Sequence, residues 1–216
     1  MKSNLPIVLL ATAILAAGCS SIKYNALEKV GIHKRDLLVD NVEDTRDAQK
    51  EAQEQFKDAL ERFESVVNIE ETGLKKAYNR LSAEYEDTAD AAEEVSEQID
   101  EVEDVADDLF AEWRQENKQY KDGSLRRDSE RRLEETRARY REMLASMKQS
   151  ESSMQPVLST LYDNVLYLKH NLNAQAIGSL RTTFGNLEAD VDDLVERMNQ
   201  SIERSNAFIS EMRAGG

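Results

Sequence analysis

Between Leu74 and Trp113 the chain carries one seam that never breaks step. Leu74, Tyr78, Leu81, Tyr85, Thr88, Ala92, Val95, Ile99, Val102, Ala106, Leu109 and Trp113 follow one another at alternating spacings of four and three residues. That rhythm keeps side chains on one face of an α-helix, whereas a half-buried strand needs a period of two. The positions around the seam are mostly acidic, so the helix has one face to bury and the rest to leave in water. Gly73 stands before this segment and Asp122-Gly123-Ser124 after it, and both read as turns.

The same rhythm recurs on either side. Leu133, Arg137, Tyr140, Leu144, Met147, Glu151, Met154, Leu158, Leu161, Val165, Leu168 and Leu172 form a second seam. It keeps its phase across Pro156, so one kinked helix is expected; the serines at 150, 152 and 153 leave a break there as the alternative. From Leu172 to Ile177 the phase slips, which marks a turn. A third seam then runs through Leu180, Phe184, Leu187, Val191, Leu194, Met198, Ser201, Ser205, Phe208 and Met212. Upstream, Val39, Val42, Arg46, Gln49, Gln53, Phe56, Leu60, Phe63 and Val67 make a fourth, with a short helical piece expected over Tyr24–Val30 ahead of it. Only eight glycines and two prolines punctuate 216 residues, and a third of the residues are charged, a composition suited to long helices.

The expected fold is all-α: an elongated antiparallel four-helix bundle, or set of coiled coils, with helices over about 33–68, 74–119, 125–171 and 176–213 forming one domain. A three-helix body with the first segment detached is the alternative. A helix of 45 residues would be ~68 Å long.

Residues 1–18 stand apart. Lys2 precedes the 13-residue apolar run Leu5–Ala17, too short to span a bilayer, and Ala16-Ala17-Gly18 leads into Cys19, the only cysteine. This pattern resembles the bacterial lipobox, with Ala16 where leucine is commonest. It implies a signal peptide over 1–18, lipid on Cys19 and a lipidated tether over 19–32. Several acyl chains anchor stably where one does not. Ser20 after the cysteine favours the periplasmic face of the outer membrane over the inner membrane. The precursor carries −15; cleavage removes Lys2 and leaves −16, which speaks against a nucleic-acid partner.

Folding the segments back at turns near 71, 122 and 174 places residues near 48, 95, 149 and 199 at one level, where the polar interruptions of the seams gather. Arg46 and Glu151 are expected to meet there, inside the bundle and beside Gln49, to fix register. His33 and His170 lie in turn regions and are expected at the same end of the bundle, the lipid end, as a candidate partner patch. Neither has a second His or Cys spaced for a metal. No phosphate loop, Gly-x-Ser-x-Gly or His-Glu-x-x-His occurs, so an enzyme and a cofactor are not expected. Seven arginines between Arg126 and Arg141 are interleaved with acids, which reads as a salt-bridged surface. Val195, Ile202 and Ile209, seven apart beside the last seam, could support self-association.

Two stretches, Gly31-Ile32-His33-Lys34-Arg35-Asp36-Leu37-Leu38-Val39-Asp40 and Leu161-Tyr162-Asp163-Asn164-Val165-Leu166-Tyr167-Leu168-Lys169-His170-Asn171-Leu172-Asn173-Ala174, resemble a family of Gram-negative lipoproteins catalogued as a domain of unknown function. The resemblance covers nearly the whole mature chain and brings no activity, cofactor or site. Members are sometimes labelled DNA repair proteins, a label that conflicts with an export signal and an acidic surface. The expectation is a lipid-anchored, periplasm-facing rod that works through protein contacts as scaffold, spacer or adaptor. The rival is a carrier whose bundle opens around a lipid or other apolar ligand, with Pro156 and the polar middle as its hinge.

Overall fold

The computed structural model describes residues 34–68 and 73–214. Four helices follow in order: α1 (Lys34–Val67), α2 (Leu74–Asn117), α3 (Gly123–His170) and α4 (Ala174–Ala214). The signal segment, Cys19, the piece over Tyr24–Val30 and His33 lie outside the described residues. Short turns force consecutive helices to run antiparallel. Each helix packs against two neighbours, in a ring α1–α2–α3–α4–α1. The first segment is therefore part of the bundle, not detached. Among the described residues no helix is long and apolar enough to cross a membrane.

The ends of the helices have local causes. Asp122 caps α3: its carboxylate accepts from the backbone N–H of Ser124 (2.7 Å) and Leu125 (3.2 Å) and from the Ser124 hydroxyl. These are amide groups that a helix start otherwise leaves unpaired, and the bonds hold its pKa below the usual carboxylate value. Lys169 stands in the last turn of α3, where positive charge suits the helix dipole, and His170 ends the helix. Asn173 then opens α4 by accepting from the Ala176 N–H at 3.1 Å. Pro156 interrupts nothing: α3 is one helix through it. Pro156 and Ser152, whose carbonyl loses its partner at the proline, both sit on the exposed face, where water can replace the lost bond.

The core runs the length of the bundle, from Leu38, Phe63, Leu81, Ile99 and Met147 to Leu168, Leu187 and Met198, all essentially without exposure. In α4 the expected seam is the buried one, with only Phe184 half-covered. In α1 and α3 half of the expected seam is buried as read, Val39, Val67, Leu158 and Val165 are buried too, and at the alternate positions the innermost residue is the one before the expected one. The α1 core reads Leu38, Val42, Thr45, Gln49, Ala52, Phe56, Ala59, Phe63 and Val66. The α3 core reads Leu133, Thr136, Tyr140, Met143, Met147, Ser150, Met154, Val157, Leu161, Asn164 and Leu168. Both rows keep steps of three and four. Small Thr45, Ala52, Ala59 and Ser150 take the inner places, and the larger Arg46, Gln53, Leu60 and Glu151 flank them. A helix in a four-membered ring meets two neighbours, so its buried face is wider than a two-stranded seam. Val195, Ile202 and Ile209 belong to such a flank: Ile209 is buried and the other two are partly covered.

Candidate functional site

At mid-length the core turns polar. Gln49 of α1 donates through Nε2 to Ser150 Oγ of α3 at 2.9 Å, and both are fully buried. The Ser150 hydroxyl in turn donates a hydrogen bond to the Met147 carbonyl at 2.8 Å. Ser201 and Ser205 of α4 are equally buried, and Ser205 bonds back to the Ser201 carbonyl. Thr45, one turn away, bonds to the carbonyls of Asn41 and Gln98. Gln49 Oε1 and Ser201 Oγ are buried without a hydrogen-bond partner among the described residues.

Arg46 and Glu151 do not meet in this layer. Arg46 lies on the α1 flank, paired with Asp47 (3.0 Å), Glu43 (3.6 Å) and Asn206 of α4 (3.3 Å). Glu151 accepts from Ser96 of α2 at 2.5 Å. The one-residue displacement at these positions explains the failure: it carries the two charges to different outer grooves and leaves Thr45 and Ser150 facing inward. Desolvating two charges at the bundle centre is avoided. The bond from Arg46, helped by Lys50, holds the Asp47 carboxyl down to about 2.

The two ends of the bundle differ in character. Lys34 pairs with Glu112 at 3.0 Å, and Arg35 bonds the Met212 carbonyl, so the start of α1 shares an end with the α2–α3 turn and the end of α4. His170 stands at the other end, where Arg181 bonds the Val67 carbonyl at 2.7 Å. Lys34 and His170 therefore stand at opposite ends, while the shared end expected for His33 and His170 rests on a residue outside those described. Three helical passes separate Lys34 from His170, and an odd number of passes leaves start and finish at opposite ends. His33 itself lies outside the described residues.

Toward His170, large apolar side chains stand exposed among Asp163 and Lys169. Leu161, Val165 and Leu168 turn inward, and the same turns of α3 expose Tyr162 (47%), Leu166 (40%) and Tyr167 (39%), with Leu172 (44%) in the following turn. The Tyr162 ring rests at 5.5 Å on Tyr85 of α2, and the Tyr167 hydroxyl lies 3.5 Å from Ser179 of α4. Tyr162 thus lies toward α2 and Tyr167 toward α4. Isolated exposed apolar residues are ordinary, but a cluster marks a contact surface. The other large exposed apolar side chains among the described residues are Tyr120 and Leu125, at the opposite end. Seam reading singled out His170 and passed over Tyr162, Leu166 and Tyr167; their signal was bulk at off-seam positions of an otherwise charged face.

A groove of about 720 Å³ lies between α1 and α2 and is acidic: Asp44, Asp47, Glu51, Asp87, Asp90 and Glu94 line it with Ala48 and Ala91. Such walls repel anions and offer little to an apolar ligand. Among the described residues no group of three or more His, Cys, Asp and Glu is placed to hold a metal ion. The arginines of early α3 pair within one turn, as Arg126–Glu130, Arg131–Glu135 and Arg132–Asp128 do, and all are exposed.

No curated protein and no solved structure matches the chain. Residues 23–212 match a family described as "Protein of unknown function (DUF2959)". With about nine-tenths of its length inside that match, the chain belongs to this family of unknown function.

Proposed function

We propose that this protein is a lipid-anchored adaptor of the cell envelope, held at the periplasmic face of the outer membrane through Cys19. It presents the Tyr162–Leu166–Tyr167–Leu172 surface to a protein partner and acts by contact, without catalysis or nucleic acid. The observation that carries the reading is the position of that surface. It lies at the end of the bundle away from Lys34, where the chain leads back toward Cys19. At 1.5 Å per residue, Leu166 is about 65 Å along α3 from Gly123, so the rod would hold its apolar patch well clear of the membrane.

Two measurements test the two halves of the proposal. Labelled palmitate fed to cells is expected to enter the wild-type chain and not Cys19→Ala, and the variant is expected to leave the membrane fraction. Equal labelling and equal retention would overturn the anchor. Photoreactive residues at positions 166 and 172 are expected to capture the same envelope protein, which a control at Glu94 in the acidic groove does not. Capture of one set of proteins from all three positions would overturn the adaptor surface.

One observation favours a second reading, the carrier. The two unpartnered polar atoms of Gln49 and Ser201 mark the middle of the bundle as the place where opening would cost least. A photoreactive residue at position 49 that captures lipid, with nothing specific at 166, would favour the carrier.

A further inference from the structure

The end of the bundle at which α1 begins is not flush. The α2–α3 hairpin runs past both of its neighbours there. Lys34 is level with Glu112, yet α2 continues to Asn117 and the turn to Asp122. Arg139 pairs with Glu211 at 2.7 Å, yet α3 reaches back to Gly123 while α4 stops at Ala214. Among the described residues the hairpin tip thus leads the other two helices by roughly 10–20 Å.

Its chemistry is unlike that of the remaining chain. Residues 114–132 hold seven Lys and Arg (Arg114, Lys118, Lys121, Arg126, Arg127, Arg131, Arg132) against four Asp and Glu, a net +3 in a protein of −15. All seven cations are exposed. One of the four acids, Asp122, is turned back to cap α3. Another, Asp128, is shared between Arg131 and Arg132. Exposed ion pairs of this kind are weak and exchange readily for other anions. At the very tip Tyr120 and Leu125 stand 44% and 57% exposed. Cations around an exposed tyrosine and leucine are what the interfacial zone of a membrane with anionic headgroups accommodates: the charges meet phosphates and the side chains enter the headgroup layer.

We infer that the α2–α3 hairpin tip is a docking element for an anionic phospholipid surface, seating the rod end-on upon the membrane to which it is tethered. The inference rests on the lipid anchor at Cys19. Fourteen residues, 20–33, separate that cysteine from Lys34, and Lys34 stands at the same end of the bundle as the tip. Without the tip the rod would swing on its tether. With it, the distal patch is held away from the bilayer.

The test uses the full lipidated protein, purified from membranes and reconstituted into vesicles of phosphatidylcholine alone or with a third phosphatidylglycerol. Backbone hydrogen exchange is read at residues 118–127. On the phosphatidylglycerol vesicles at low salt, exchange there is expected to slow at least tenfold relative to phosphatidylcholine, and the difference should collapse at 0.5 M salt. The triple variant Lys121→Ser, Arg126→Ser, Arg127→Ser is fully on the surface and is expected to fold and stay anchored, but to lose the slowing. Equal exchange on both vesicles, or slowing that survives the triple change, overturns the tip. Failure of the protein to remain on phosphatidylcholine vesicles overturns the anchor instead, so the two failures are told apart.

Discussion

Replacing Phe63 with alanine is expected to lower the melting temperature by roughly 6–20 °C, the largest effect of any single truncation proposed for this chain. Phe63 has no exposure, and its ring stacks on Phe184 of α4 at 6.1 Å and 8°. Phe→Ala in a packed core costs about 3–5 kcal/mol, because the lost transfer energy is joined by the cavity left behind. For a domain of this size each kcal/mol moves the midpoint by about 2–4 °C. The neighbouring core positions Ala59 and Val66 are small and cannot swing in to fill the space. Thermal unfolding followed by circular dichroism at 222 nm is the check, with helix content at 20 °C expected to stay unchanged. A shift under about 3 °C would mean that the α1–α4 interface is not packed as described.

Gln49→Glu is the second change expected to act strongly, and it acts through pH. The substitution puts a carboxylate among Ser150, Ser201 and the core. A buried charge without a cation partner costs several kcal/mol, on the order of 3–5, and the group escapes part of that cost by holding its proton. Its pKa in the folded state is therefore raised above its unfolded value of about 4.3. With a raised carboxyl pKa the folded form binds the extra proton. Stability is then nearest wild type at or below the unfolded pKa and is lost as pH rises toward the folded one. The melting temperature of Gln49→Glu should sit close to wild type near pH 4 and fall well below it at pH 7.5. Gln49→Leu removes the unpartnered Oε1 along with the bond to Ser150, and should melt at or slightly above wild type at both pH values. If the Glu variant is as stable as wild type at pH 7.5, the layer is open to water and the carrier reading gains.

The contrast between seam and flank explains which parts of this architecture were legible in the sequence. Helix limits expected at about 33–68, 74–119, 125–171 and 176–213 fall within about two residues of those found. Long unbroken seams and Gly, Asn and Asp-Gly turns are strong local signals. The inner row of α1 and α3 was not legible at that precision. Thr45 and Arg46, or Ser150 and Glu151, satisfy the same spacing with Gln49 and Met147, so periodicity cannot choose between them. Close packing around the ring chooses the smaller residue. His170 drew attention as a rare residue type, whereas Tyr162 and Leu166 become conspicuous only when the inward face of α3 is fixed by Leu161, Val165 and Leu168.

The closed ring of helices also bears on how the chain assembles. Three of its four interfaces join helices that follow one another through turns of at most six residues, so each forms from contacts close in sequence and closes quickly. The fourth, between α1 and α4, has no turn to set its alignment. There Gln53 reaches the Val195 carbonyl (3.2 Å) and Asn199 (2.9 Å), Arg46 reaches Asn206, and Arg213 pairs with Glu43 at 2.8 Å. These bonds connect residues more than 140 positions apart. The flanking polar row thus acts as a latch: it brings the last helix home against the first at one longitudinal offset, after the hairpins have already formed.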